Sequence, residues 1–234
     1  MDPGLVSVVI PTLNEERALP ACLDFLAREE GPLEVIVADG GSEDRTRQIA
    51  ETREGVRVVD APPGRSRQMN RGAEVARGEV LWFLHADSRP EPGALATIRA
   101  ILASRGTAIG AFRFRLDGER AVYRLLEFGV WLRVLLFRNP YGDQGLFLRT
   151  RDFRELGGFE DIPLFEDVRL VRAMRARGRL RVSPLAIATS PRRWEAHGVW
   201  RTTRMHLRLA ILERLGTPVE ELARRRRAGG EPRG

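Results

Sequence analysis

Three short clusters in this chain bring together side chains that could bind or transform a ligand: Pro11-Thr12-Leu13-Asn14-Glu15, Asp39-Gly40-Gly41-Ser42 and His85-Ala86-Asp87. Each follows an apolar run that reads as a buried strand, and in a parallel sheet ligands bind outside the carboxyl ends of the strands. An acid after the second strand, here Asp39, suits the hydroxyls of a ribose. The first turn has no G-x-G-x-x-G, so nothing there cradles a pyrophosphate as a dinucleotide site does. A mononucleotide whose diphosphate is held by a metal ion fits better. Asp, Asn and Gly are also ordinary turn residues at strand ends; three polar clusters converging on one sheet edge favour a site.

The positive side of the chemistry is restricted. All 39 Lys+Arg residues are arginine. A Walker lysine, a kinase strand lysine and Schiff-base chemistry are therefore excluded. Phosphate must be handled by arginine, backbone amides or a metal ion.

The elements that would position these clusters follow from hydrophobic periodicity. Strands are expected at Val6–Ile10, Leu33–Ala38, Val56–Val59 and Val80–Leu84. Helices are expected between them at Glu15–Arg28, Ser42–Arg53 with Ser42 as N-cap, and Ser66–Arg77. Alternation at this spacing argues for a parallel, doubly wound α/β sheet. Further along, Ala108–Leu116, Gly145–Arg149 and Arg181–Ala188 read as strands. Ala121–Phe137, an unusually apolar stretch, Glu166–Arg177 and Trp200–Leu215 read as helices, and Thr217-Pro218-Val219-Glu220 opens a last one with a capping box. The organisation expected is an α/β domain over 1–196, basic amphipathic helices over 197–223, and a disordered arginine-rich tail over 224–234.

The 234 residues are 43% hydrophobic and 30% charged, an ordinary globular balance. One cysteine excludes a disulfide framework. No run approaches the roughly 18 apolar residues of a membrane span, and Met1-Asp2-Pro3 lacks a basic signal region, which reads as cytoplasmic. Charge is uneven: residues 1–170 hold 23 Arg against 27 acids, net −4, and residues 171–234 hold 16 Arg against 5 acids, net +11. A basic end on an acidic body suits an anionic membrane surface, or a solvated face with no partner. Nucleic acid is not expected, because no binding motif for it is present.

Together these residues carry a resemblance. Ser7-Val-Val-Ile-Pro-Thr-Leu-Asn-Glu-Glu16, Asp39-Gly-Gly-Ser42, Asn70-x-Gly72, His85-Ala-Asp87 and Glu166-Asp167 resemble the family 2 glycosyltransferases of the GT-A fold. The radical-SAM/selenodomain-associated subgroup is similar also in Gly142-Asp143-Gln144-Gly145, Gly157-Gly-Phe159, Phe165-Glu-Asp-Val168 and Arg192-Arg193-Trp194-Glu195. The resemblance runs from about residue 6 to 215. It implies a mostly parallel, Rossmann-like sheet with a C-terminal helical appendage. Thr12, Leu13, Asn14 and Glu15, led by Pro11, would line a nucleoside pocket, with Asp39 on the base or ribose. Arg65, Arg67 and Asn70 would face the nucleotide, as would His85 and Ala86. Asp87, at the last position of the family's D-x-D, would ligate Mn²⁺ or Mg²⁺. Asp167 would be the general base and Glu166 would orient the acceptor. Asp143, Gln144, Gly145, Arg193 and Trp194 would lie on the acceptor side. The chain departs from the pattern in having His85 at the first D-x-D position, Met69 before Asn70, and Ser190 where processive relatives carry Gln.

The chemistry so implied is coherent. A divalent cation is a Lewis acid for a departing diphosphate, and Asp87 is a hard oxygen donor suited to Mg²⁺ or Mn²⁺. A second carboxylate that accepts the acceptor's proton is typically worth about 10²–10⁴ in rate. The expectation is an inverting, metal-dependent transferase taking a sugar from a nucleoside diphosphate, most simply UDP. A lipid-like acceptor or peripheral contact with the inner membrane face would use Ala121–Phe137 and the Arg201, Arg204 and Arg208 face, with homodimerisation as the competing use. A non-catalytic sugar-nucleotide or membrane-binding module on the same fold is the alternative.

Overall fold

The computed structural model describes residues 2–228. Its first half is the expected alternation: β1 (Asp2–Thr12), α1 (Leu19–Leu26), β2 (Leu33–Asp39), α2 (Thr46–Glu51), β3 (Val56–Asp60), α3 (Arg65–Val75) and β4 (Gly78–Phe83). Val6, Val8, Val9 and Ile10 are fully enclosed, because β1 is central and covered on both faces, which is what a continuous β-branched run needs. β1 pairs in parallel with β2 on one side and β4 on the other, Thr12 opposite Asp39 and Val9 opposite Phe83.

The second half turns the sheet into a mixed one. It comprises β5 (Ser88–Pro90), α4 (Ala94–Ala103), β6 (Thr107–Leu116), α5 (Ala121–Phe137), β7 (Phe147–Arg149), α6 (Thr150–Leu156), α7 (Glu166–Arg177) and β8 (Arg179–Thr189). α8 (Arg192–His197), α9 (Val199–Arg214) and α10 (Val219–Ala228) follow. Among the described residues the strands form a single sheet in the order β3-β2-β1-β4-β7-β6-β8-β5. β7 is antiparallel to both β4 and β6, and β5 is antiparallel to β8. The strand order reverses between β1 and β4, so the crevice above their carboxyl ends is the topological switch point. Val8, Ile10, Trp82 and Phe112 pack on one sheet face with α1 and α4; Val9, Phe83, Ile109 and Leu148 pack on the other with α3, α6 and α7.

Four elements lie beyond the sequence expectation: β5, α4, α6 and α8. α4 was legible, since Leu95, Ile98 and Leu102 recur at helical spacing and are buried. Two expectations are corrected. Ser42 does not cap α2, which starts four residues later at Thr46; Ser42 instead donates to Asp39, and Asp44 accepts the Thr46 amide at 2.9 Å. The arginine run is not a disordered tail from residue 224. α10 continues to Ala228, its apolar side made by Val219, Leu222 and Ala223, all buried; residues 229–234 lie outside the described residues.

The basic C-terminal helices are built into the body. Leu209 of α9 and Leu222 of α10 form a core with Phe165 and Val168 at the start of α7. α5 is tied to the C-terminal helices near both of its ends. Tyr123, near the start of α5, donates to Glu195 just ahead of α9 at 2.8 Å, and Arg214 at the end of α9 lies 3.7 Å from the centre of the Phe137 ring at the end of α5.

Candidate active site

One end of the crevice is made by stitching two strand ends together. Asp39, 3% exposed, accepts from the Thr12 hydroxyl at 3.1 Å and from the Gly41 and Ser42 amides at 3.1 and 2.9 Å, besides the Ser42 hydroxyl. Its four acceptor positions are thus engaged within the protein, and it reaches a nucleotide only by releasing one of these donors. Asn14 adopts a left-handed backbone (φ 56°), where Asn is tolerated. Its amide donates to Ser42 at 3.0 Å and its side-chain oxygen accepts from Glu43 at 2.9 Å. The Glu15 amide donates to Thr46, and the Glu15 carboxylate lies 3.7 Å from Arg192 of α8. Buried Gln68, which sequence reasoning missed, donates to the carbonyls of Thr12 at 2.6 Å and Ala38 at 3.1 Å, holding both strand ends to α3.

The other end lies across the switch point. α7 starts abruptly, because Phe165 takes a left-handed backbone (φ 67°), a costly conformation for an aromatic residue. Glu166 and Asp167 thereby fall in the first helical turn, where the macrodipole favours anions. Asp167 accepts from the Gly142 amide and from its own neighbour Val168, both at 2.6 Å. A Cβ built on Gly142 would stand 3.3 Å from both Asp167 Oδ2 and His85 Nε2. The end of β4 and the start of α7 therefore meet at this turn, and His85, Glu166 and Asp167 line one small pocket with Arg65, Met69 and Phe159. Glu166 is 6% exposed. Burial, and then the adjacent Asp167 charge, pushes its carboxyl above the usual carboxylate range, while Arg65 at 3.8 Å pulls the other way without cancelling that.

Several expected site residues have other work. Asn70 is tied to the turn opposite, both ends of its amide pairing with the Phe159 main chain at 2.8 Å and fixing the Gly157–Phe159 turn. Gln144, 2% exposed, donates to the Phe112 carbonyl and accepts from Arg133 and the Tyr141 amide, so it anchors the 142–144 turn instead of facing an acceptor. Trp194 packs against Phe114 and His206 with ring centroids 6.1 and 6.3 Å apart, which is a packing role. The Ala86 side chain is in the core. Gly145 gives the chain a left-handed turn, and Asp143 sits in the turn beside it. The Arg193 side chain lies outside what the structure describes. Arg67 chelates Asp161 at 2.8 and 3.0 Å. With Leu13, Arg65 and Glu166, it lines a wider cleft that also reaches Arg226 and Arg227 of α10.

A divalent ion would find part of a ligand set here. Asp87 is half-buried beside Cys22, whose thiol is pushed up by burial and then by the Asp87 charge. Among the described residues no group of three or more His, Cys, Asp or Glu is placed to hold an ion. One carboxylate suits a hard ion that completes its shell from substrate phosphate oxygens and water, as Mg²⁺ commonly does. On that chemistry the residues fit.

A mostly parallel, mixed α/β sheet with flanking helices and a polar crevice at its switch point is the GT-A glycosyltransferase architecture. A mannosyltransferase from Pyrobaculum calidifontis, in complex with GDP-Man and Mn²⁺, superposes with a TM-score of 0.68 at 23% identity, over 89% of this chain and 64% of that one. The glucosyl-3-phosphoglycerate synthase of Mycobacterium tuberculosis, in complex with Mn²⁺, UDP and phosphoglyceric acid, does so with a TM-score of 0.61 at 22% identity, over 92% and 79%. The chain belongs to glycosyl transferase family 2, whose family model matches residues 7–155. A "PGL/p-HBAD biosynthesis glycosyltransferase" of Mycobacterium bovis is 42% identical over 175 residues, 68% of this chain and 64% of the relative. The matched part thus spans under two thirds of that relative's length.

Proposed function

We propose that the chain transfers a sugar from a nucleoside diphosphate to an acceptor hydroxyl with inversion, Asp167 being the general base. The observation that carries this reading is the meeting of His85 and Asp167 across Gly142, which puts a carboxylate opposite the β4 end where a donor diphosphate would lie. Leu13, followed by Asn14 and Glu15, would bound the nucleoside side, and Arg65, which lines the same cleft as Leu13, lies 3.8 Å from Glu166. The acceptor oxygen bonds to the anomeric carbon as the bond to the diphosphate oxygen breaks, and Asp167 takes the acceptor's proton. Asp87 would hold a Mn²⁺ or Mg²⁺ ion, which when bound neutralises charge on the leaving diphosphate. Glu166, buried beside Asp167 at the start of α7, positions the acceptor. The Gly142–Gly145, Gly157–Phe159 and Arg192–Glu195 motifs support membership of the radical-SAM-associated subgroup.

Titration of UDP and of GDP, each with and without Mn²⁺, tests the donor site. Binding of one of them that strengthens at least about tenfold with Mn²⁺, and loses that gain in Asp87→Ala, is the expected result. Metal-independent binding would favour the non-catalytic module, to which His85 in place of a second carboxylate lends support.

The acceptor reading rests on α5. Of its seventeen residues only Tyr123 is buried, while Leu125, Phe128, Trp131, Leu132, Leu135, Leu136 and Phe137 are exposed. Trp200, Leu207, Ile211 and Leu215 are exposed on or next to α9, whose Arg201, Arg204 and Arg208 are exposed too. Among the described residues no helix is long and apolar enough to cross a membrane. An apolar face edged by arginines suits lying on an anionic surface, from the cytoplasmic side. The same face would bring a lipid-like acceptor toward the turn at Gly142, since Arg133 of α5 contacts Tyr141 and Gln144. Flotation with anionic vesicles at low salt is expected to carry the wild-type chain and to leave Leu135→Glu/Leu136→Glu behind. If neither floats and the chain sediments as a dimer, the face belongs to a second copy.

A further inference from the structure

α10 is seated by Leu222, fully enclosed against Phe165, Val168 and Leu209, with Val219 and Ala223 buried beside it. This seating sets Arg226 and Arg227 on one wall of the cleft whose other wall carries Arg65 and Arg67 at the start of α3. Arg224 and Arg225 are exposed and absent from the cleft lining, and Arg225 pairs with Glu221 one turn back. The lining holds four guanidinium groups against two carboxylates, Asp161 and Glu166, an excess of two positive charges. The Arg67 Nε–H is shared between both Asp161 oxygens, which orients the guanidinium and leaves its two terminal nitrogens out of that pair. The cleft is partly walled by Pro63, Ile162 and Leu164, which raises the strength of charge interactions inside it.

We infer that this cleft is an anion subsite for a phosphate or diphosphate group, gripped by Arg226 and Arg227 from α10 together with Arg65 and Arg67 from α3. Guanidinium groups match phosphate oxygens in pairs of parallel hydrogen bonds, and in a chain without lysine they are the side chains that carry fixed positive charge. The cleft borders both Leu13, on the nucleoside side, and Glu166, on the acceptor side. The bound phosphate is therefore part of the donor or part of a phosphorylated acceptor. In either case the C-terminal helix completes the site, and the arginine run is a binding element.

The test is a binding measurement and needs no turnover, so it is separable from the glycosyl-transfer reading. Inorganic pyrophosphate is titrated into the full chain in metal-free buffer, and into Arg226→Gln/Arg227→Gln and Arg224→Gln/Arg225→Gln. The inner pair is expected to weaken pyrophosphate at least about tenfold and the outer pair less than about twofold, with matching thermal midpoints. Arg226→Lys/Arg227→Lys, which keeps charge but not the fork, is expected to fall between. UDP and glycerol 3-phosphate then distinguish the sources. Parallel weakening of UDP assigns the subsite to the donor, whereas weakening of glycerol 3-phosphate with UDP unchanged assigns it to the acceptor. Equal losses in the inner and outer pairs, or no pyrophosphate binding by the wild-type chain, would overturn the inference.

Discussion

Asp167→Asn is expected to slow sugar transfer by about 10²–10⁴ while nucleotide binding stays within about twofold of wild type. The substitution preserves size and removes the proton-accepting charge. Asp167 accepts the Gly142 and Val168 amides at 2.6 Å each, and an asparagine oxygen keeps one of these, so the turn should hold. Leu13, Arg65 and Arg67 line the neighbouring cleft without Asp167, which is why binding should survive. The measurement is release of nucleoside diphosphate from whichever donor the titrations identify, compared with calorimetric affinity for the nucleotide alone. A variant that keeps full turnover would remove Asp167 from the base role; Glu166, on the same pocket, would then be tested in the same way.

The second large effect is structural in origin and functional in readout. Gly145→Ala would place a Cβ 2.3 Å from the Ile187 Cδ1 and 2.9 Å from the Trp82 Nε1, at a backbone φ of +56°. Overpacking of this kind costs about 1–3 kcal/mol, and a left-handed L-residue adds about 1–2 kcal/mol. The combined destabilisation should lower the thermal midpoint by roughly 4–20 °C at this chain length. Gly145 closes the turn through its amide, which donates to the Gly142 carbonyl at 3.0 Å. Relief of the clash therefore moves the amide that holds Asp167, and turnover should fall further than folded fraction alone explains. Gly129→Ala is the control. It lies within α5 with nothing within 4 Å of its Cβ position, so it should be neutral or stabilising by up to about 1 kcal/mol. Equal midpoints for the two variants would show that the Gly145 turn carries no such constraint.

Much of the architecture is local and therefore readable along the chain. α5 and α7 begin and end where periodicity and charge place them, at Ala121–Phe137 and Glu166–Arg177. The strand-and-helix alternation up to β4 holds, with shifted ends. Starts move by up to four residues, as in α1, which begins at Leu19 because Ala18 and Leu19 close a turn onto Glu15 first. The mixed character of the second half was not legible. A short strand such as β7 carries no mark of its direction, which is set by where the chain re-enters between β4 and β6.

By itself the sequence determined the kind of site: a parallel-sheet crevice with polar strand ends, a carboxylate at the end of β4, an acidic pair opening α7, and fixed positive charge carried by arginine without lysine. Residue type and short-range spacing suffice for that, because turns, caps and helical faces involve neighbours within a few positions. Only the tertiary structure decided which polar groups remain for a ligand. Asn70 pairs with Phe159 across 89 positions and Gln144 with Phe112 across 32. Both amides are engaged within the protein, and for buried Gln144 an unpaired amide would cost about 1–3 kcal/mol. The same long-range packing took the arginines expected to trail in solvent and, through Leu222, set two of them beside the cleft. Which side chains are consumed and which are presented is a property of contacts distant in sequence, and no local pattern encodes it.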